Sequence, residues 1–144
     1  MTEVPSPLTF KKNIIVWTDD NPQNNVKIID TLEKKEIEVM QLVSTKISDI
    51  WVREFGWFLN WKEIKYKIVT DMVRTEEEND NYYAGIDLLE KLFNEYGFTA
   101  PILIYCGDTE KAAANIEKRK IRKDRVHEVT KFPKEVMRFC TDFY

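Results

Sequence analysis

IIVWTDDNPQNN, residues 14–25, joins a four-residue apolar run to an acidic pair and a proline. The run IIVW does not alternate with polar residues. A strand of that kind is buried on both faces, as strands of a parallel sheet covered by helices are. Pro22 suits the first turn of a helix, and beyond it Val26, Ile29 and Leu32 recur at helical spacing with Ile28 alongside, an apolar stripe to lay on the sheet. The unit reads as strand, acidic turn, helix.

The same unit recurs outward along the chain. Further strand-length runs are IEVMQLV (37–43), KIVT (67–70) and PILIYC (101–106), with a weaker one, RVHEVT, at 125–130. Helical segments alternate with them. SDIWVREFGWFLNWKE (48–63) is long and aromatic, and YYAGIDLLEKLFNEYG (82–97) sets Ile86, Leu89 and Phe93 on one stripe, with Leu88 and Leu92 beside it and Gly97 as a stop. DTEKAAANIEKRK (108–120) opens on Asp108, a cap candidate, and Pro133 begins a last helix whose Val136, Phe139 and Cys140 or Phe143 can dock on the sheet. Five such units at roughly 25-residue spacing imply a three-layer α/β fold, (βα)5, with right-handed crossovers and a parallel five-stranded sheet in the order 2-1-3-4-5. Residues 1–12 are expected to form a flexible tail, residues 13–144 the one domain, and RTEEENDN (74–81) an unstructured polar loop.

Composition narrows the chemistry. With 144 residues, 43% apolar and 33% charged, the chain can bury a full core without disulfides or a structural metal. Its 22 Lys+Arg against 25 Asp+Glu leave a charge of -3, which argues against broad nucleic-acid binding. Two cysteines, Cys106 and Cys140, provide neither a disulfide framework nor a Cys-rich zinc site, and a reducing, cytoplasmic setting is expected. No signal-peptide pattern opens the chain and no run approaches the ~18 apolar residues of a membrane span. One histidine, His127, leaves little for Ser-His-Asp hydrolysis, and four glycines do not make GxGxxG or Walker phosphate loops.

In an open α/β sheet, ligands gather outside the carboxyl ends of the strands. There this sequence places Asp19 and Asp20 after the first strand, Asp71 after the third, Cys106-Gly107 after the fourth and Lys131 after the fifth. Three carboxylates at one mouth repel one another unless a hard cation neutralises them. Mg²⁺ does so with one or two carboxylates, a carbonyl and waters.

In that order, IIVWTDDNPQNN, KIVTDM, AGIDLLEKL, PILIYCG and VTKFPKE resemble the response-regulator receiver family, the CheY-like, flavodoxin-like phosphoacceptor domains of two-component signalling. The resemblance covers Asn13 to Tyr144. It implies Asp71 as phosphoryl acceptor, and Mg²⁺ held by Asp19, Asp20, Asp71 and the backbone carbonyl of Val73. It further implies Lys131 as the partner of the acceptor or its phosphoryl group, and Cys106 at the switch position. A histidine kinase or other signalling protein is the implied partner, with no nucleic acid, no membrane and no output domain on this chain. Four departures accompany it. Cys106 stands where the family has Ser or Thr, and a thiol donates more weakly than a hydroxyl. Met-Pro is missing after Asp71, where an acidic stretch with Glu76, Glu77, Glu78 and Asp80 is inserted; the lysine turn reads Lys-Phe-Pro; and the second helix carries Trp51, Phe55, Trp57, Phe58 and Trp61.

Two further functions remain open at this level. A pseudo-receiver would keep the fold and bind partners without phosphorylation, and the aromatic helix Trp51–Trp61 could then expose a homodimer patch. A TIR-like or deoxyribosyltransferase-like nucleotide glycohydrolase would need a mouth glutamate with a matching motif. Simpler readings stand beside each site: Asp19 to Pro22 as a helix cap, Cys106 as a small buried residue, His127 as structural, and the basic cluster from Lys118 to Arg125 as a solvated helix end.

Overall fold

The computed structural model describes residues 13–19, 21–44, 46–48, 50, 51, 53, 54, 65–72, 74–76, 79–81, 85, 87, 88, 90, 101–121 and 126–142. Seven strands occur among them: β1 (Asn13–Thr18), β2 (Glu38–Leu42), β3 (Lys65–Thr70), β4 (Arg74–Glu76), β5 (Asn79–Asn81), β6 (Ile102–Tyr105) and β7 (Glu128–Thr130). Five of these form one sheet, ordered β2-β1-β3-β6-β7, in which every neighbouring pair is parallel. With the β4–β5 pair set aside, that is the expected order 2-1-3-4-5. A 3-10 turn at Pro22–Asn25 runs into α1 (Val26–Lys34), and α2 (Thr109–Lys118) and α3 (Pro133–Thr141) follow later in the chain. Residues 46–48, 50, 51, 53 and 54 are also helical, as are 85, 87, 88 and 90.

Uninterrupted apolar strands make sense because both faces of the sheet are covered. Successive side chains of a strand point to opposite faces. Ile14 and Val16 join Met40, Leu42, Ile68, Ile102 and Ile104 in one cluster, closed by Trp51, Leu88, Ala112 and Ile116 from the helical segments on that side. Ile15 and Trp17 join Val39, Val69 and Leu103 in the other, closed by Ile29 and Leu32 of α1 and Val136, Phe139 and Cys140 of α3. Each large side chain so buried contributes roughly 1.5–3 kcal/mol relative to exposure.

Two expectations are corrected. Val26 does not belong to the buried stripe of α1, being 58% exposed, whereas Asn25 is 4% exposed. The tighter 3-10 turn at residues 22–25 offsets the phase of the helix start, so Ile29 and Leu32 carry the stripe with half-buried Ile28 beside them. The stretch 74–81, expected to be unstructured, pairs as an antiparallel hairpin with Arg74 opposite Asn81, Thr75 opposite Asp80 and Glu76 opposite Asn79. The cause lies at its base, where Gly85 N donates to Met72 O at 3.1 Å. With residues 72 and 85 held together, the intervening chain must double back, and cross-pairing then satisfies its backbone groups. Gly97, Phe143 and most of the aromatic helix lie outside the described residues. Trp51 lies within them and is fully buried, so it contributes nothing to an exposed dimer patch.

Candidate functional site

Parallel register brings the predicted residues together at the carboxyl edge. Thr18 faces Thr70 in the last β1–β3 pair, so Asp19 and Asp71 follow side by side on hydrogen-bonded strands, and Asp71 N donates to Thr18 O at 3.1 Å. Tyr105 faces Thr130 in the last β6–β7 pair, so Cys106 and Lys131 follow in the same way, with Cys106 N donating to Thr130 O at 3.0 Å. Asp20 and Val73 lie outside the described residues.

Asp19 is oriented from both sides. Its Oδ1 accepts from Asn21 N at 2.8 Å, and its Oδ2 from Asn25 Nδ2 at 2.9 Å. The first bond is an Asx turn to the backbone of Asn21, just ahead of the 3-10 turn, and the N-cap residues Asn21 and Asn25 make no side-chain cap bond themselves. Buried Asn25 supplies the second bond and fixes the carboxylate plane. A carboxylate oxygen accepts more than one bond, so Asp19 keeps capacity for a cation.

Asp71 is buried, with 8% of its surface exposed. Its carbonyl accepts from Thr70 Oγ1 at 3.0 Å and lies so close to Gly85 that a Cβ there would stand 2.4 Å from it. Only a residue without Cβ fits at 85 while Asp71 keeps this backbone. The hairpin insertion thus leaves just after Asp71 and returns directly against it.

Cys106 Sγ lies 3.7 Å from Asp108 O and points its thiol at that carbonyl. Burial pushes the thiol up to about 11, and the negative charges of Asp108 and Asp71 add to the shift. It is a neutral thiol and not a nucleophile. Lys131 is exposed, its Nζ 5.6 Å from the centroid of the Phe132 ring. His127 is exposed too and stacks on Phe139 with ring centroids 5.1 Å apart, a structural placement.

Beside Asp71 opens a pocket of about 200 Å³, lined by Asp71, Met72, Tyr105, Cys106, Gly107, Asp108, Lys111, Ala112 and Asn115. Asp108 forms its rim and caps α2, its Oδ1 accepting from Lys111 N at 3.0 Å. Four contributors escaped the sequence reading: Asn25, Gly85, Lys111 and Asn115. For the last two, the recoverable signal was their i, i+4 spacing on a helix that begins immediately after the fourth strand. Among the described residues no three His, Cys, Asp or Glu side chains form a metal-holding group, so the described part of the expected Mg²⁺ set is the pair Asp19 and Asp71.

No protein-family model matches this chain, and no curated protein matches it in sequence. Solved structures do match. A response regulator receiver domain protein from Clostridium thermocellum is 18% identical, with 87% of this chain and 88% of that one covered at a TM-score of 0.58. The non-phosphorylated HemR receiver domain from Leptospira biflexa is 15% identical, covering 88% and 90% at 0.59. The fold is that of receiver domains. The receiver domain of the Francisella response regulator 1452 adds a match at 19% identity, covering 89% and 93% at 0.57. In each case nearly the whole receiver domain is spanned, and the similarity lies in architecture far more than in sequence. No helix among the described residues is long and apolar enough to cross a membrane.

Proposed function

We propose that this chain is a receiver-like signalling domain that accepts a phosphoryl group on Asp71 with Mg²⁺ and regulates a partner by docking to it. One observation carries this: Asp71 is buried at the end of β3, one register step from the oriented carboxylate of Asp19, with a pocket at its side. The pair fits a cation that takes only one or two carboxylates and completes its shell with water and phosphate oxygens. Asp19 and Asp71 would hold it, and Asp20 and the Val73 carbonyl are the remaining candidates. Bound there, Mg²⁺ supplies neutralisation of the phosphoryl oxygens.

The chain's own part is positioning. An Asp71 carboxylate oxygen attacks phosphorus in line, a P–O bond forms to Asp71, and the P–N bond of a phosphohistidine breaks with its electron pair leaving on the imidazole. With acetyl phosphate the bond broken is P–O and acetate leaves. Burial of Asp71, the clamp on its backbone and the contact with Gly85 fix the nucleophile before the donor arrives, which is most of what a loose transition state asks of a protein. Intact mass after incubation with acetyl phosphate and Mg²⁺ tests the assignment. A gain of one phosphoryl group in the wild type and none in Asp71→Asn is expected; no gain in the wild type refutes it.

A second reading is favoured by Cys106 and Lys131. A neutral thiol turned to Asp108 and a lysine over Phe132 are what a phosphorylation-independent interaction domain would tolerate. Partner binding that is unaltered in Asp71→Asn would support it.

A further inference from the structure

Lys131, assigned to the acceptor by resemblance, is not among the residues that line the pocket beside Asp71. It is exposed, and its Nζ lies 5.6 Å from the centroid of the Phe132 ring. Another lysine lines the same pocket as Asp71: Lys111, in the first turn of α2. We propose that Lys111, with Asn115 one turn further along α2, holds the phosphoryl group on Asp71 in the place of Lys131. This rests on the reading of Asp71 as phosphoryl acceptor.

Geometry supports the pair. Residues at i and i+4 share one helix face, so both side chains can address one group. Between them Ala112, 1% exposed, packs α2 tightly onto the sheet and keeps that face close to the strand ends. A sphere of 200 Å³ is about 7 Å across, so Asp71 and Lys111 line a space wide enough to admit a phosphoryl group. By volume the pocket holds about six waters, enough for the group and a partial hydration shell. At Gly107 a Cβ would meet nothing within 4 Å, so the backbone on that side leaves the space open.

Charge demands a cation there. Asp71 and Asp108 already line the pocket, and phosphorylation adds nearly two negative charges. A lysine offers three donors on a flexible stem and suits a point-charge role toward a phosphoryl oxygen. Asn115 supplies the independent observation. Its Nδ2 is buried without a hydrogen-bond partner. Buried donors are nearly always satisfied, and an exception in a pocket wall calls for an acceptor that arrives later. As placed, that donor is shut off from the pocket; a half-turn of the amide about its last torsion would present it there, where a phosphoryl oxygen would satisfy it.

The test uses the full chain with Mg²⁺ and beryllofluoride as the phosphoryl mimic, titrated by tryptophan fluorescence and calorimetry, and acetyl phosphate followed by intact mass. Lys111→Met is expected to weaken beryllofluoride binding about tenfold or more, the loss of one charge-assisted hydrogen bond, and Lys111→Arg to restore most of it. Asn115→Leu should weaken it about threefold or more, and Lys131→Met should stay within about twofold of wild type. Thermal melts identify any variant that fails to fold; the Arg variant, which keeps charge and fold, separates a binding role from a structural one. A loss in Lys131→Met equal to or larger than that in Lys111→Met overturns the replacement while leaving Asp71 as acceptor. Absence of both mimic binding and phosphorylation in the wild type removes the acceptor reading and this one with it.

Discussion

Cys106 stays protonated at neutral pH because burial and two nearby carboxylates oppose the thiolate, and the same holds for Cys140, pushed up to about 12 by burial in the α3 contact. Both folded values lie above the ordinary thiol value of 9.0, so the fold favours the protonated form. Their contribution is intact below pH ~9 and is lost as pH rises toward 11 and beyond, since the unfolded chain ionises first. Melting temperature followed from pH 7 to 11 should hold and then fall above about 9, and the fall should shrink in Cys106→Ser/Cys140→Ser. At the same scale, Gly85→Ala should cost about 1–3 kcal/mol in a denaturant titration, because the new methyl and the Asp71 carbonyl cannot both keep their places. Asp19 and Asp71 were legible in the sequence because strand ends are marked by where an apolar run stops. Gly85 was not, because its contact with Asp71 depends on a chain reversal that no local pattern announces. Lys131 was legible as a position after the last strand, but Phe132, inserted before Pro133, offers its ammonium a ring to rest on.

Elements differ in how openly they were written. β1, β3 and β6 were plain, since double-sided burial leaves apolar runs, and α2 was marked by its Asp108 cap. The β4–β5 hairpin was hidden because its residues are polar and its pairing follows from closure at the base. α3 is anchored from an unexpected quarter. Lys67, on β3, donates to Phe139 O at 2.8 Å and to Asp142 O, and its Nζ lies 4.7 Å from the Phe139 ring centroid. A cation on the last carbonyls of a helix is favoured by hydrogen bonding and by the helix dipole. Lys67→Met should therefore loosen the end of α3 and cost about 1 kcal/mol, read by denaturant unfolding and by faster amide exchange over residues 138–142. Arg119, just past α2, bridges Asp87 at 2.7 Å and Glu90 at 3.2 Å, and so part of the basic cluster faces acids of its own chain. Such half-exposed pairs are worth little singly, and Arg119→Ala should shift stability by under about 1 kcal/mol.

Across the whole molecule, the parallel sheet sets the two carboxylates at one level and its two covered faces hold them there. Mg²⁺ bound between Asp19 and Asp71 would favour the folded chain, so melting temperature should rise with added Mg²⁺. At ten times the dissociation constant the gain is about 1.4 kcal/mol, and it should vanish in Asp19→Asn. Calorimetric scans at matched ionic strength separate that specific effect from screening. Strand order was inferable because five alternating units allow few right-handed arrangements, and the whole architecture followed from it. What the chain did not reveal was that Lys111 shares a pocket with Asp71, since that depends on how α2 sits at the end of the sheet.

The bond between Gly85 and Met72 has a practical meaning as well. It fastens Met72 to Gly85 at the rim of the sheet, so that the chain leaves and returns there at one neck. Because closing a longer loop between fixed ends costs only about 0.6 kcal/mol per doubling, the neck is a natural splice point. A foreign peptide, a reporter or an epitope could replace the hairpin tip while the sheet below stays in register, carried within sight of Asp71.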